Sequence, residues 1–465
     1  MKKKLALLSI MATMATAGYG ASIDHIQTYA PEYLGNQALT GMINNTSVYY
    51  NPAGLVNLQE GTYLHGGMEL AVGHEKMNYD GKDYKARLLQ PIPNFAAYKV
   101  EEGSALYWTF GGLGGGGDLK YKDGVPGFGA LPDLVNKGVL DVSPLIEKYK
   151  PIFPTLPGYN PNNPQGVLQM YDAGSSAEGK NIYIQSTIGK SWKIDDKLSL
   201  SLGGRVVYGI RELKGNLNLK SNNPYVAPAL GTIHADIDSK RTAWGYGVQL
   251  GLNYKATDRL NLALRYDSRV KMKFKAKGSK NDVRNLGLGI ASFYPEYAPG
   301  AKVRRDMPAI LALGASYKVT DNWTTAIAGN FYFNKQAKLD EVESPLKGQK
   351  NINKVTPEYK NGWELAFGNE YRFSSKWAWL GSINYARTGA KNTTYDDVEY
   401  ALNSVTLGTG LKYNPNDTTE WVFSVCHFFY QEANGHYDHK YSNQIGNTKY
   451  DKSITAFGVS YTQRF

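Results

Sequence analysis

Between Leu260 and Lys275 apolar and polar residues change places at almost every step. Leu260, Leu262, Leu264, Tyr266, Val270, Met272 and Phe274 fall on one face. Asn261, Ala263, Arg265, Asp267, Arg269, Lys271, Lys273 and Lys275 fall on the other. A period of two is the period of a β-strand, whose successive side chains point to opposite sides. The same split recurs at Leu198–Arg211, where Leu198, Leu200, Leu202, Val206 and Tyr208 oppose Ser199, Ser201, Arg205 and Arg211. It recurs again where Trp363, Leu365, Phe367, Tyr371 and Phe373 oppose Glu364, Ala366, Gly368, Glu370 and Arg372.

Fourteen such segments are predicted, near 61–74, 91–100, 104–113, 179–194, 197–213, 240–256, 259–275, 303–319, 322–336, 359–373, 376–391, 399–413, 419–433 and 450–465. Segments of roughly ten alternating residues, in even number, are the signature of a closed transmembrane barrel, because only closure leaves no unpaired strand edge in lipid. The expected fold is therefore all-β, a 14-stranded antiparallel barrel spanning 59–465. Glu101–Gly103, Asp195–Asp196, Thr257–Asp258, Thr320–Asp321, Ser374–Ser375 and Asn414–Thr418 read as tight turns on one side, and every other connection as a longer loop. Aromatic residues gather toward strand ends, at Tyr317, Trp323, Trp377, Trp379 and Tyr413, as interfacial girdles do.

Composition supports an envelope protein. The chain has 465 residues, with 50 Gly, 35 Tyr and 8 Trp. After the N-terminus no apolar run approaches the roughly 20 residues of a spanning helix. Residues 1–20 read as a secretory signal: Lys2, Lys3 and Lys4, an apolar run from Leu5 to Ala17, then small residues up to Ala21. Cys426 has no second cysteine to pair with, and reads as a packing residue on a strand. The net charge of +11 is spread along the strands with no nucleic-acid motif, which suits outer-membrane lipid and lipopolysaccharide phosphates better than nucleic acid. A monomer is expected.

No catalytic constellation, metal set or cofactor motif stands out. The seven histidines, His436 and His439 among them, lack the spacing of a zinc protease. Two outer loops are unusual. Gly114–Gly179 holds Leu131, Leu134, Val135, Val139, Leu145 and Ile146, which predict short helices broken at Pro144, and a proline-rich run, Lys150–Pro157, which predicts an extended path. Ala276–Ala301 carries Leu286, Leu288, Ile290, Phe293, Tyr294 and Tyr297; apolar loop residues in such number suit the cover of a binding site. Gly111, Gly112, Gly114, Gly115, Gly116 and Gly117 end the third strand. Without the Lys-Ser/Thr of a phosphate loop, they indicate either a kink where ladder hydrogen bonds break or a flexible loop base.

Before the first strand, residues 21–58 show no sustained period. In Tyr49-Tyr50-Asn51-Pro52-Ala53-Gly54-Leu55, Pro52 fixes φ and Gly54 permits a left-handed turn, so a compact irregular segment is expected, or simply a turn leading into the barrel. With the barrel, this run resembles the N-terminal hatch of the FadL/TodX family of outer-membrane transporters. Gly245–Tyr254 continuing to Arg265-Tyr266-Asp267-Ser268, Met307-Pro308-Ala309 before a strand, and the terminal Tyr461-Thr462-Gln463-Arg464-Phe465 are similar to family segments. The resemblance implies a hatch at 21–58 gated around Asn51, Pro52, Ala53 and Gly54, and a lateral opening at the third-strand glycines. It also implies passive uptake of long-chain fatty acids, aromatic hydrocarbons or other hydrophobic molecules captured by the loops, with no enzyme activity. Arg211, Lys214, Lys354 and Lys360 are then candidates for an inward-facing carboxylate site, or simply screen lipopolysaccharide. Competing readings are a porin for polar solutes, which a charged lumenal face of Arg265, Arg269, Lys271 and Lys273 would suit, and a surface adhesin or receptor.

Overall fold

The computed structural model describes residues 30–138, 147–284, 300–343, 359–391, 395, 400–435 and 448–465. Fourteen antiparallel strands close one barrel. They are β1 (Gly61–Tyr79), β2 (Lys82–Glu101), β3 (Ser104–Tyr121), β4 (Ser176–Lys193), β5 (Leu198–Ser221), β6 (Ile233–Lys255) and β7 (Leu260–Asp267, then Lys273–Arg284). The rest are β8 (Lys302–Arg305, then Ile310–Thr320), β9 (Trp323–Tyr332, then Leu339–Glu343), β10 (Gly362–Arg372), β11 (Trp377–Arg387), β12 (Ser404–Asn416), β13 (Thr419–Tyr430, then Ala433–Gly435) and β14 (Thr448–Arg464). β1 pairs with β14 from Tyr63↔Arg464 to Asn78↔Lys449, which closes the wall.

Alternation decides which face meets lipid. Leu64, Met68, Leu202, Leu313, Leu365, Phe367 and Phe423 are exposed on the outer face, while Ser199, Ser201, Asn253, Arg265 and Glu364 are buried on the inner one. Among the described residues no helix is long and apolar enough to cross a membrane; the strands cross it. Cys426 lies buried on β13 against Leu34 and Ala456.

Two expectations about the strands are corrected. The first outer connection is short: β1 and β2 run on to a turn at Asp80 and Gly81, both with positive φ (49° and 79°), the conformation that fits a twisted two-residue hairpin. The second correction concerns β7. From Asp267 to Lys275 it takes eight steps where β6 takes seven, from Gln249 to Thr242. One extra residue turns every later side chain to the opposite face. Val270, Met272 and Phe274 therefore point inward, fully buried with Leu113, Tyr183, Val207 and Tyr332, and Arg269, Lys271, Lys273 and Lys275 face outward. Of the four cations assigned to the lumen, Arg265 alone is there.

The long connection after β3 folds into a cap. Helix Pro126–Asn136 buries Phe128, Leu131, Leu134 and Val135 against Tyr84, Leu168 and Leu217. Glu147–Thr155 is a 3-10 helix rather than an extended path, because Phe153 and Leu156 turn into the same apolar cluster. Val139, Pro144, Leu145 and Ile146, and Leu286 to Tyr297 of the second loop, lie outside the described residues, as do the signal segment, His436 and His439.

The reversal in β7 is testable by labelling. In a Cys426→Ala background, Lys273→Cys should react with a membrane-impermeant maleimide and Phe274→Cys should not; the reverse pattern would restore the uninterrupted alternation.

Candidate functional site

Residues 30–58 sit within the ring of strands. α1 (Pro31–Gly35) packs on β1 and β11 to β14, α2 (Ser47–Tyr50) on β3, and the 3-10 turn Pro52–Asn57 on β2 to β7. The wall's hydroxyls and amides donate hydrogen bonds to the segment's carbonyls. Ser191 Oγ donates to Pro52 O and Ser199 Oγ to Ala53 O, each at 2.6 Å. Ser316 Oγ and Asn261 Nδ2 both donate to Gly41 O, at 2.8 and 2.9 Å. Ser382 donates to Gly35 O at 3.3 Å, and Ser424 donates to Pro31 O. Such short side chains suit a segment whose irregular backbone has few partners of its own. Wall glycines do the rest: a Cβ at Gly314 would strike Gly41, one at Gly368 would strike Asn36, and one at Gly408 would strike Leu34.

Asn51 lies at the centre of these contacts. Its Nδ2 donates to Asn253 Oδ1 at 2.7 Å and to Met42 O at 3.3 Å, with the residue 1% exposed. Ala53 is fully buried near Gly251, and a Cβ at Gly54 would come within 2.7 Å of Asn51 Nδ2. Tyr50, stacked on Tyr33 at 5.3 Å, receives the Ala30 N–H at 2.9 Å. Burial holds its phenol well above the ordinary range, so it stays neutral.

A second feature lies on the wall between β2 and β3. Their ladder runs from Glu101↔Ser104 to Asn94↔Gly111 and stops. Beyond it β2 pairs with β1 alone as far as Lys82, and β3 pairs with β4 alone as far as Tyr121. Pro91 and Pro93 have no N–H to offer across the gap. On the other side, Gly112 to Gly117 spans five steps of β3 against three of β4, from Ile184 to Asn181, so β3 bulges. Gly115 and Gly117 hold φ of 129° and 71°, open to glycine and to few other residues. Ile92, Gln90 and Leu88 lean into the gap: a Cβ at Gly112 would stand 2.8 Å from Ile92, and one at Gly117 2.8 Å from Gln90 Oε1. Behind it lies a cavity of about 80 Å³, lined by Leu34, Ala71, Ile92, Gly115, Gly116 and Ile454 together with Glu69, Glu75 and Lys452.

A family of outer-membrane transport proteins, described as outer membrane protein transport protein (OMPP1/FadL/TodX), matches residues 158–465. The chain belongs to this family. Among curated relatives, an outer membrane protein of Neisseria meningitidis serogroup B is 22% identical over 284 residues, 56% of this chain and 59% of the relative. The long-chain fatty acid transport protein of Salmonella typhi is 20% identical over 250 residues, 51% of this chain and 57% of the relative. The chain thus spans less than three fifths of the length of each. Two solved structures share the fold over nearly their full length. A Pseudomonas aeruginosa FadL homologue has TM-score 0.66 and 16% identity, covering 96% of this chain and 100% of its own. The Pseudomonas putida toluene transporter TodX has TM-score 0.61 and 14% identity, covering 95% and 99%. Like its family, the protein resides in the outer membrane.

In this FadL/TodX member the four carboxylate candidates do not form one site. Arg211 is half-buried on the inner face of β5, in register with Arg241. Lys214, three residues on, necessarily faces out and is exposed, correcting its inward placement. Lys360 is exposed just before β10, five strands from β5 around the wall, and Lys354 lies outside the described residues. Nor do the cap's apolar residues form an open capture surface, since Leu131, Leu134 and Val135 are buried.

The charges that do face the lumen are buried and paired. Arg265 Nε meets Asp267 Oδ2 at 3.2 Å, its Nη1 donates to Tyr49 O at 2.6 Å, and Arg205 Nη2 donates to Gln185 Oε1 at 2.7 Å. Lys452 Nζ meets Glu75 Oε1 at 2.9 Å. Their inward parity was readable along each strand, but their partners come from other strands.

Asn51→Ala removes two buried hydrogen bonds, one to Asn253 Oδ1, which keeps the bond from Asn261 Nδ2, and one to Met42 O, which keeps the bond from Ser47 Oγ, a loss of about 1–3 kcal/mol. Hydrogen exchange of residues 30–58 should accelerate by about tenfold or more while heat-modifiable gel migration shows an intact barrel. Unchanged exchange would mean that the serine contacts suffice to hold the segment.

Proposed function

We propose that the protein takes up hydrophobic small molecules passively across the outer membrane and releases them sideways through the gap between β2 and β3. The observation that carries this reading is the interrupted β2–β3 ladder with a mainly apolar cavity directly behind it. A barrel wall in lipid otherwise pairs every backbone group, so a long unpaired stretch closed only by side chains is the wall's weakest seam. Relatives carry names for long-chain fatty acid and for toluene transport, which supports substrates of those two classes. Residues 21–58 act in this scheme as the hatch. Shifting the Asn51–Gly54 turn away from Ser191, Ser199 and Asn253 would open the lower lumen, the side on which the tight turns lie.

The porin reading has less support. It drew on four lumenal cations, of which Arg269, Lys271 and Lys273 face outward. The inner face is instead filled by residues 30–58 below and by Val270, Met272 and Phe274 above.

A reversible lock tests lateral release. A Cβ built on Gly117 stands 3.5 Å from the Gln90 Cβ, within the span of a disulfide. Gln90→Cys with Gly117→Cys, in the Cys426→Ala background, should cross-link β2 to β3. Uptake of labelled oleate and labelled toluene by cells should fall to the background of cells lacking the protein when oxidised, and recover on reduction. Undiminished uptake through fully cross-linked protein would sink lateral release at this seam.

A further inference from the structure

The cavity behind the seam is apolar over most of its lining, yet two carboxyl groups and an amine reach it, Glu69 and Glu75 from β1 and Lys452 from β14, beside the phenol of Tyr430. Lys452 is already committed. Its Nζ lies 2.9 Å from Glu75 Oε1, with the two side chains 3% and 4% exposed, and 4.6 Å over the ring of Tyr400. Glu69 is different. It is 2% exposed, and its Oε1 is buried without a hydrogen-bond partner. The other ionisable groups of this region offer it no relief: Glu32 takes the hydroxyl of Ser460, and His65 pairs with Thr462 Oγ1 at 2.8 Å and stands 4.0 Å from Glu32. A buried polar atom without a partner is costly, and one that lines a cavity is satisfied at once by a ligand that donates a hydrogen bond.

The same inventory argues against an acid. An anionic head needs an unmatched cation when it leaves water, and Lys452, the one lysine among the described residues of the lining, is paired with Glu75. An ionised Glu69 would repel a carboxylate, and a protonated Glu69 would offer it a single hydrogen bond and no charge. At about 80 Å³ the cavity is also well below the roughly 300 Å³ at which pockets for whole ligands begin, so it holds a head group and its first carbons, with the remainder along the seam.

We propose that this cavity selects amphipathic molecules whose head donates a hydrogen bond, an alcohol or a phenol, to the Glu69 carboxyl group, and discriminates against carboxylates. The assignment rests on the reading of passive uptake of hydrophobic small molecules and, within these, favours a head group that neither a fatty acid nor toluene presents.

The test compares labelled 1-octanol, octanoate and n-octane, equal in chain length, by equilibrium dialysis of the purified full chain in detergent against protein-free micelles. Wild-type protein should hold octanol about tenfold more tightly than octanoate, the scale of one buried hydrogen bond. Glu69→Leu should abolish the preference for octanol over octane. Glu69→Gln, which keeps an acceptor of the same shape, should retain it, with heat-modifiable migration confirming that both variants fold. Octanoate bound as tightly as octanol, or an octanol preference that survives Glu69→Leu, overturns the assignment while leaving hydrophobic uptake standing. Retention of none of the three above the micelle background overturns both.

Discussion

Lipid offers a backbone nothing to hydrogen-bond, and that constraint organises this molecule. Every wall strand must find partners on both sides, so the chain returns on itself until β14 reaches β1. The final residue takes part: Phe465 N donates to Thr62 O at 2.8 Å and Phe465 O accepts from Thr62 N at 3.1 Å. Against a wall so completely paired, the end of the β2–β3 ladder at Asn94↔Gly111 is an exception that needs special residues. Two prolines on one strand and a run of glycines on the other provide them. Prolines remove donors that would otherwise stand orphaned, and glycines allow β3 to swing away without steric strain.

The lumen faces the opposite problem. Residues 30–58 have little regular structure, so their carbonyls need donors, and the inner wall supplies them from Ser191, Ser199, Ser316, Asn261 and Arg265. The number and shortness of these contacts make the segment a fitted part. They are also individually modest interactions of about 1 kcal/mol. An array of small polar contacts can be exchanged for water stepwise, which suits a part proposed to move more than a large apolar interface would.

The two features meet at Leu34 and Glu69. Leu34 belongs to the N-terminal segment and lines the cavity behind the seam, and Glu69 belongs to the strand that β2 still pairs with. A shift of the segment would therefore alter the cavity directly, through contact rather than through a distant relay. The ion pair Lys452–Glu75 anchors the far side of the same space from β14 and β1, which remain fully paired.

Much of this was legible in the chain. Strand number, the tight-turn side and the kink glycines follow from a period of two and from the local conformational freedom of glycine and proline, all properties of neighbouring residues. The register of β7 was not legible. A single extra residue between Asp267 and Lys275 reverses a face, and nothing in Ser268–Lys271 says whether the strand absorbs it, because that is decided by pairing with β6 and β8. The outward direction of Lys214 follows from its odd spacing to Arg211 on an uninterrupted strand, whereas the burial of the cap's apolar residues depends on contacts with distant residues such as Tyr84 and Leu217. Likewise Glu69 is one glutamate among many until β2, β3, β13 and β14 enclose it. Alternation along a strand sets which side a residue takes relative to its neighbours; only the closed barrel sets which side is the lumen at each height, and what stands opposite.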